Sequence, residues 1–195
     1  MLNKINLINI FKKLLETAKL SYDDFNAADA KIGDGDLGIT ILNGLQEINL
    51  NIDKFNNDMG ANFMLCSQAF VKKSGSSFGT LIAFSFINIS KNFKGKSECN
   101  HEEILNIFET CLKTVLERGK TKLGDKTIAD SLDTIINKLK NSQNYSEVIK
   151  SATKQALDDF RGKKILIGRA RMFEDKTKNL NDPGMFAFNR LAEGF

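Results

Sequence analysis

Residues 28–38 read Ala-Asp-Ala-Lys-Ile-Gly-Asp-Gly-Asp-Leu-Gly, so three aspartates alternate with glycines over a short stretch. The carboxylates of Asp29, Asp34 and Asp36 would repel one another if nothing positive lay between them. A hard divalent cation such as Mg²⁺ prefers oxygen ligands of this kind and usually shares them with substrate phosphates. The glycines allow backbone N–H groups to approach an anion closely. The stretch therefore predicts a site for a metal ion and a nucleotide.

The segments on either side of this stretch are predominantly helical in pattern. Apolar residues recur at helical spacing in 3–19, 57–72, 101–118, 127–140 and 145–160. Residues 80–89 form a dense apolar run that would fit a buried strand or a buried helix. We predict a helix there, because no partner strands are evident elsewhere in the sequence. A last helix is expected to begin at Pro183.

The residues that flank the aspartates predict two further helices. Residues Ser21 to Asp24 are typical of a capping box for a short helix that ends near Ala30. A second helix is expected to begin near Asp36 and to turn its apolar face inward. That face is expected to contain Ile39, Leu42 and Leu45.

Length and composition favour one compact, all-α domain spanning residues 1–195. The chain is 42% hydrophobic, which is enough for a sizeable core, and it contains 15 phenylalanines but only one proline. About eight helices joined mostly by short loops predict a single antiparallel bundle or barrel. Loops at one end of such a bundle can converge on one site, so we expect the nucleotide there.

Charge and cysteine patterns exclude several classes of protein. The net charge of +4 is spread along the chain, and no basic block interleaves with aromatic residues, so nucleic acid is not an expected partner. No apolar run reaches transmembrane length, and no signal peptide is evident, so a membrane is not an expected partner either. Three cysteines without CxxC spacing (Cys66, Cys99 and Cys111) favour reduced thiols in a cytoplasmic protein.

Four loops concentrate the glycines and the unusual polar residues. We call them loop 1 (residues 29–38), loop 2 (74–80), loop 3 (124–127, with Asp130 one turn later) and loop 4 (168–170, followed by 182–184). A nucleotide site needs carboxylates for Mg²⁺, helix N-termini for phosphates and an arginine for charge, and these loops supply all of them. The Walker A, dinucleotide-binding and EF-hand patterns do not fit these loops.

Each loop also has a purely structural interpretation. Aspartates beside glycines are common in turns and helix caps. Asp182 followed by Pro183 is typical of an N-cap with proline at the first helical position. Arg169 would fit a surface ion pair, and Asp125 would cap a helix that begins near Thr127. The functional hypothesis depends on the occurrence of all four loops together and in this order.

These motifs resemble the nucleotide-binding L subunit of dihydroxyacetone kinase, the family of DhaL or DAK2 domains. Residues 28–38 resemble the family signature D-A-x-I-G-D-G-D-H-G, and 75–81 resemble its Gly-Gly-Ala-Ser-Gly loop. Residues 124–132 resemble G-D-K-T-x-x-D-x-L, while 168–170 and 182–184 resemble G-R-A and D-P-G. The resemblance spans nearly the whole chain and implies an antiparallel barrel of eight helices with the nucleotide at one end.

The resemblance also implies roles for individual residues. Asp29, Asp34 and Asp36 would hold two Mg²⁺ ions on ADP or ATP, and together with Arg169 they would be the catalytic residues. Further nucleotide contacts are implied for residues in or next to the motifs. These residues are Gly38, Ile39, Thr40, Ser76, Ser77, Phe78, Gly79, Gly124, Arg169, Asp182, Pro183 and Gly184.

The implied partner is a K-type subunit that holds a small keto-sugar, so this chain would be a phosphotransferase only together with that subunit. In one branch of the family, a phosphotransferase-system protein rephosphorylates the bound ADP, and in another branch ATP exchanges as a substrate. The sequence departs from the family at Leu37 (usually histidine), at Ile39-Thr40 (usually Thr-Asn) and at Phe78 (usually serine). These departures motivate a second hypothesis, a nucleotide-binding regulatory module without turnover. A plain helical scaffold is the third.

Overall fold

The computed structural model describes residues 1–195 and confirms the all-α fold. Its α-helices are α1 (Lys4–Leu20), α2 (Tyr22–Asp29), α3 (Leu37–Leu50), α4 (Met59–Lys73), α5 (Ser77–Asn92), α6 (His101–Gly119), α7 (Ile128–Leu139), α8 (Tyr145–Asp159) and α9 (Pro183–Glu193). Two 3₁₀ segments occupy Ile52–Lys54 and Arg169–Asn179. Two short strands, β1 (Leu2–Asn3) and β2 (Glu98–Cys99), pair antiparallel. None of the helices combines the length and hydropathy that crossing a membrane requires.

Side-chain caps fix where most of the helices begin. Asn3 and Asn100 form capping boxes at the starts of α1 and α6, and Asp58 caps α4. These caps satisfy N–H groups that have no partner within the helix. The predicted capping box at Ser21 is wrong, because the Ser21 side chain makes no cap hydrogen bond. Its backbone N–H instead donates to the Thr17 carbonyl and thereby ends α1.

Consecutive helices pack against each other, and the series closes on itself. From α3 to α9 each helix contacts the next, and α9 returns to contact α1 and α2. Because helices joined by short loops pack antiparallel, α3, α5, α7 and α9 all begin at the same end of the bundle. Each of these helices starts within or directly after one of the four loops. The topology therefore gathers the loops at one end, as the sequence predicted.

The core is rich in phenylalanine. The ring of Phe86 lies 6.1 Å from that of Phe11, 6.1 Å from that of Phe63 and 6.0 Å from that of Phe70. Such ring pairs add to the stabilisation that burial of apolar surface provides. Phe86 belongs to α5, so the ambiguous apolar run at 80–89 is a helix, as predicted. The strands β1 and β2 are too short to have been predicted from any run of apolar residues.

Two other expectations about this end of the bundle are wrong. Helix α3 does not turn Ile39 inward, because that side chain is 44% exposed. Its buried face consists of Leu37, Ile41, Leu45 and Ile48, which recur at helical spacing from the first residue of α3. Loop 2 is also shorter than expected, because Ser76 caps α5 and the helix begins at Ser77.

Candidate metal and nucleotide site

The three aspartates of loop 1 form one cluster between α2 and α3. One carboxylate oxygen from each of Asp29, Asp34 and Asp36 lies within 4.8 Å of the others. The Oδ2 atom of Asp29 accepts the N–H groups of Gly35 at 2.8 Å and Asp36 at 3.1 Å, so this carboxylate folds the loop around itself. A Cβ atom at Gly33 would lie 2.4 Å from Oδ1 of Asp29, so glycine leaves that second oxygen accessible.

The electrostatics of the cluster favour a bound cation. Burial raises the pKa of Asp36 above its ordinary value, and the negative charges of Asp34 and Asp29 raise it further. The nearby Arg169 guanidinium opposes that shift. A bound divalent cation would offset the repulsion between these neighbouring negative charges. Three carboxylates suit the hard ions Mg²⁺ and Ca²⁺. The residues present therefore fit the metal expected from the sequence.

Arg169 of loop 4 forms an ion pair with Asp34 of loop 1. The two side chains are 66% and 53% exposed, and pairs this exposed contribute little to stability. The contact matters for its location, since it brings an arginine from a segment distant in sequence to the edge of the carboxylate cluster. The structure thus brings all four residues expected to be catalytic into one place.

Loop 2 contacts both α3 and the start of α9. The Oγ atom of Ser76 accepts the N–H of Gly79 at 3.1 Å and the hydroxyl of Thr40 at 2.8 Å, which ties the start of α5 to α3. The ring of Phe78 packs beside Gly184, where a Cβ atom would lie 3.2 Å from it. Ser77 is exposed. Of the two serines expected here, Ser76 is thus held within the structure and Ser77 faces solvent.

Loop 3 is held together by its own carboxylates. Asp130 accepts the N–H of Gly124 at 2.7 Å and the N–H of Thr127 at 2.8 Å. Thr127 caps α7 by accepting from Ala129 at 3.2 Å. Asp125 therefore does not cap α7, although its position in the sequence had suggested that it would. Its carboxylate accepts the backbone N–H of Lys122 at 2.9 Å instead.

The Asp182-Pro183-Gly184 turn begins α9 in the way that the sequence predicted. The Oδ1 atom of Asp182 accepts the Met185 N–H at 2.9 Å, and Pro183 takes the first helical position. Burial raises the pKa of Asp182 to about 6, even though the N–H groups of Met185 and Gly184 and the charge of Lys126 favour the ionised form. Asp182 is thus a half-buried acid at a helix N-terminus, close to Phe78 and Lys126.

The raised pKa of Asp182 predicts a specific pH dependence of stability. A carboxyl with a pKa of about 6 in the folded state and about 3.9 when unfolded stabilises the fold most below pH 4, and this contribution is lost as the pH rises through 6. We expect Tm of the wild type to fall relative to Asp182→Asn by about 4–10 °C between pH 4 and pH 7, because a shift of two pKa units corresponds to roughly 2–3 kcal/mol and each kcal/mol moves Tm by about 2–4 °C in a chain of this size. Calorimetry of both proteins across this range measures the difference. The exposed Asp53→Asn variant should run parallel to the wild type, and a difference that grows in the opposite direction would contradict the prediction.

Sequence reasoning missed Asn26, which positions loop 1 from α2. Its Oδ1 atom accepts the N–H of Gly38 at 2.7 Å and that of Ile39 at 3.3 Å. Asn26 thereby caps α3, whose own N-cap residue, Asp36, makes no side-chain cap hydrogen bond. Because these two N–H groups are already paired, the predicted nucleotide contacts of Gly38 and Ile39 would have to use other atoms. The one available signal was that Asn26 lies three residues before Asp29, on the same helix face.

Known proteins with similar sequences belong to the family that the motifs resemble. The sequence model of the DAK2 domain family matches residues 31–195. The ADP-binding subunit DhaL of PEP-dependent dihydroxyacetone kinase 1 from Listeria innocua is 27% identical over 181 residues, which covers 92% of this chain and 87% of that protein. The corresponding DhaL subunit from Escherichia coli is 23% identical and covers 98% of this chain and 97% of that protein.

A solved structure has the same fold. The dihydroxyacetone kinase of C. freundii in complex with AMP-PNP and Mg²⁺ superimposes with a TM-score of 0.72 at 21% sequence identity. The match covers 96% of this chain but only 32% of that one. At this identity the likeness establishes the fold, and the chain corresponds to about a third of the larger kinase.

Proposed function

The chain belongs to the DAK2 domain family, and from this premise we propose that it is the nucleotide-binding subunit of a dihydroxyacetone-type kinase. It would form one DhaL-like domain over residues 1–195 and hold ADP or ATP with two Mg²⁺ ions in the cytoplasm. The phosphoryl group of the bound nucleotide would pass to a small keto-sugar on a separate K-type subunit. The observation that carries this proposal is the cluster of Asp29, Asp34 and Asp36, with Arg169 against it.

The geometry supports a proposed role for each site residue. Asp29, Asp34 and Asp36 would hold the Mg²⁺ ions, which when bound neutralise negative charge on the phosphates. Arg169 presents a positive charge at the edge of the same cluster. The N-termini of α5 and α9, next to Ser76 and Gly184, carry the partial positive charge that favours phosphate groups. These residues bind and orient the donor and contribute no bond-making atom of their own.

The group that accepts the proton of the substrate hydroxyl would lie on the partner. The single histidine of the chain, His101, begins α6, and its Nδ1 atom shares a 2.9 Å hydrogen bond with the hydroxyl of Tyr145. Helix α6 packs against α5 and α7, and since helices joined by short loops pack antiparallel, it begins at the end of the bundle opposite the carboxylates. A K-type subunit docked over the four loops would supply both the keto-sugar and its base.

The names of the relatives suggest the phosphoryl donor. The Listeria and Escherichia proteins are described as ADP-binding subunits of PEP-dependent kinases, and a relative from Lactococcus lactis is described as part of a PTS-dependent kinase. We infer by analogy that this chain keeps ADP bound and that a phosphotransferase-system protein rephosphorylates it. Exchange of ATP from solution is the competing arrangement.

A regulatory module that binds a nucleotide without turnover is the second candidate. Leu37, in the position of the family histidine, is only 5% exposed and belongs to the core, so it offers no polar group to a ligand. Phe78 likewise packs beside Gly184 and does not supply a hydroxyl. Phosphorylation of dihydroxyacetone by this chain together with a K-type subunit would rule the module out.

Calorimetric titration of ADP and ATP, with and without Mg²⁺, tests the proposed function. We expect binding that depends on Mg²⁺, because the phosphates would otherwise face three carboxylates. Nucleotide released by denaturing the freshly purified protein distinguishes the donors, since ADP that co-purifies supports the phosphotransferase-system arrangement. If neither nucleotide binds when Mg²⁺ is present, the proposal is wrong and the scaffold hypothesis gains.

A further inference from the structure

A buried lysine of loop 3 reaches the segment that carries Arg169. The Lys126 residue is 2% exposed, and its Nζ atom donates to the carbonyl of Lys163 at 2.8 Å and to that of Thr177 at 3.2 Å. These carbonyls lie at the two ends of residues 163–177, which we call the arginine loop. One ammonium group therefore bridges both ends of the loop that presents Arg169.

The arginine loop is also held by other contacts: an ion pair joins Lys164 to Asp175 at 2.7 Å, and the N–H of Leu166 donates to the carbonyl of Asp125 at 3.1 Å. The N–H of Ile165 donates to the hydroxyl of Thr177 at 3.0 Å, so this pair also joins the two ends. Between them, most of residues 166–176 are exposed, and Ala170 is the buried exception. Exposed segments with few packed side chains open locally at low free energy. The buried contacts at the two ends of the loop, together with the packing of Ala170 in a cluster with Ile165 and Ile32, consequently fix where Arg169 lies.

Lys126 occupies its position at an energetic disadvantage. Its φ angle of 63° is in the left-handed region, which is uncommon for residues other than glycine. Burial also lowers the pKa of Lys126, although the carboxylate of Asp182 acts in the opposite direction. A strained backbone and a desolvated ammonium persist only where surrounding contacts compensate for them. Here the compensating contacts are the two carbonyls of the arginine loop.

We propose that Lys126 is a positioning residue that closes the arginine loop and thereby holds Arg169 beside the carboxylate cluster. The role in nucleotide binding rests on the proposed function, because Arg169 acts there on the phosphates. The closure of the loop does not, since it concerns this chain alone. Lys126 itself touches neither the carboxylates nor Arg169, so it acts through the loop.

Lys126→Met tests the proposal, because it removes the ammonium and keeps both an apolar stem of similar length and the backbone strain. Lys163→Met is the matched control, since it removes an exposed lysine of the same loop whose carbonyl, not its side chain, contacts Lys126. Hydrogen–deuterium exchange of the nucleotide-free proteins should show faster exchange in 163–177 for Lys126→Met only. Unchanged exchange in Lys126→Met would overturn the proposal.

A double-mutant cycle with Arg169→Met separates positioning from a general structural effect. We expect Lys126→Met to weaken binding of ADP with Mg²⁺ about tenfold, the size expected when a charged hydrogen-bonding group is lost. In the Arg169→Met background the same change should have little effect, because there is no arginine left to position. Equal weakening in both backgrounds would refute the positioning role.

Failure of the proposed function and failure of the loop closure give different results. If the wild type binds no nucleotide, the proposed function fails, while the exchange experiment still decides whether Lys126 closes the loop. If Lys126→Met does not fold, Lys126→Gln takes its place in both experiments. Its amide can still donate to one carbonyl, so the same pattern is expected with smaller changes.

Discussion

Replacement of Asp34 or Asp36 by asparagine is expected to abolish Mg²⁺-dependent nucleotide binding. Either change removes one of three charged oxygen donors that lie within 4.8 Å of one another, and a neutral amide is a weak ligand for a hard divalent ion. Loss of a group that only supports a metal ligand typically weakens binding about 10–100-fold, so loss of a ligand itself should weaken it by at least about 100-fold. Phosphoryl transfer with a K-type subunit should disappear to the same extent.

The fold should survive these changes, which makes the result interpretable. Burial raises the pKa of Asp36, and the negative charges of Asp34 and Asp29 raise it further, so removing the charge of Asp36 relieves both the desolvation and the repulsion. We therefore expect Asp36→Asn without Mg²⁺ to have an unchanged helical spectrum and a Tm no lower than that of the wild type. A ligand that binds only the folded state raises Tm, so ADP with Mg²⁺ should stabilise the wild type and leave both variants unaffected.

Asp53→Asn is the matched control for this experiment. Asp53 is exposed in the 3₁₀ segment after α3, so the length of a helix of 14 residues, roughly 20 Å, separates it from the cluster. It should bind ADP like the wild type. Substantial activity in both Asp34→Asn and Asp36→Asn would show that the carboxylates do not hold the metal and would remove the basis of the proposed function.

The helices could be predicted because each carries its own signal. Periodic apolar residues and local caps such as Asn100 lie within a few residues of each helix start, where sequence reasoning reaches them. The inward face of α3 was misjudged at Ile39 because apolar residues of α3 fit two rows at helical spacing, and only tertiary packing decides that the row from Leu37 to Ile48 is the buried one. Ser21 failed as a cap because it already ends α1, and one residue cannot have both backbone conformations.

The carboxylate cluster and the gathering of the loops could also be predicted, since both follow from spacing and from helix order. Asn26 and Lys126 could not, because their partners are backbone atoms. Lys126 donates to carbonyls 37 and 51 residues away, and Asn26 accepts N–H groups 12 and 13 residues away. A backbone partner leaves no residue type in the sequence to recognise. The hydrogen bonds between side chains and distant backbone groups are thus the part of this site that only the tertiary structure reveals.

Gly38 and Gly75 look alike in the sequence, since each lies in a glycine-rich loop before a helix, but the structure predicts opposite consequences for an added methyl group. A Cβ atom at Gly38 would lie 2.4 Å from the carbonyl oxygen of Tyr22 and 2.7 Å from Oδ1 of Asn26. A Cβ atom at Gly75 would meet nothing within 4 Å. Gly38 is therefore required by the close approach of α2 to α3.

We expect Gly38→Ala to lower the free energy of unfolding by about 1–3 kcal/mol, as overpacked sites do. The sign of this change in the free energy of unfolding is informative. Gly38 lies in the first turn of α3, where alanine by helix propensity alone would add up to about 1 kcal/mol of stability. Gly75→Ala should stay within about 0.5 kcal/mol of the wild type, since it is a substitution at an open surface. Urea unfolding of the three proteins measures these differences, and a stabilised Gly38→Ala would show that α2 and α3 are not held this closely.

The same variant connects the packing of the two helices to the site. The methyl group would displace the Asn26 side chain, whose Oδ1 atom holds the N–H groups of Gly38 and Ile39. Because α2 ends at Asp29 and α3 begins next to Asp36, moving the helices apart would separate two of the three carboxylates. Gly38→Ala should therefore bind ADP with Mg²⁺ more weakly than Gly75→Ala at temperatures where both are folded. Equal affinities would mean that the carboxylate cluster does not depend on the contact between α2 and α3.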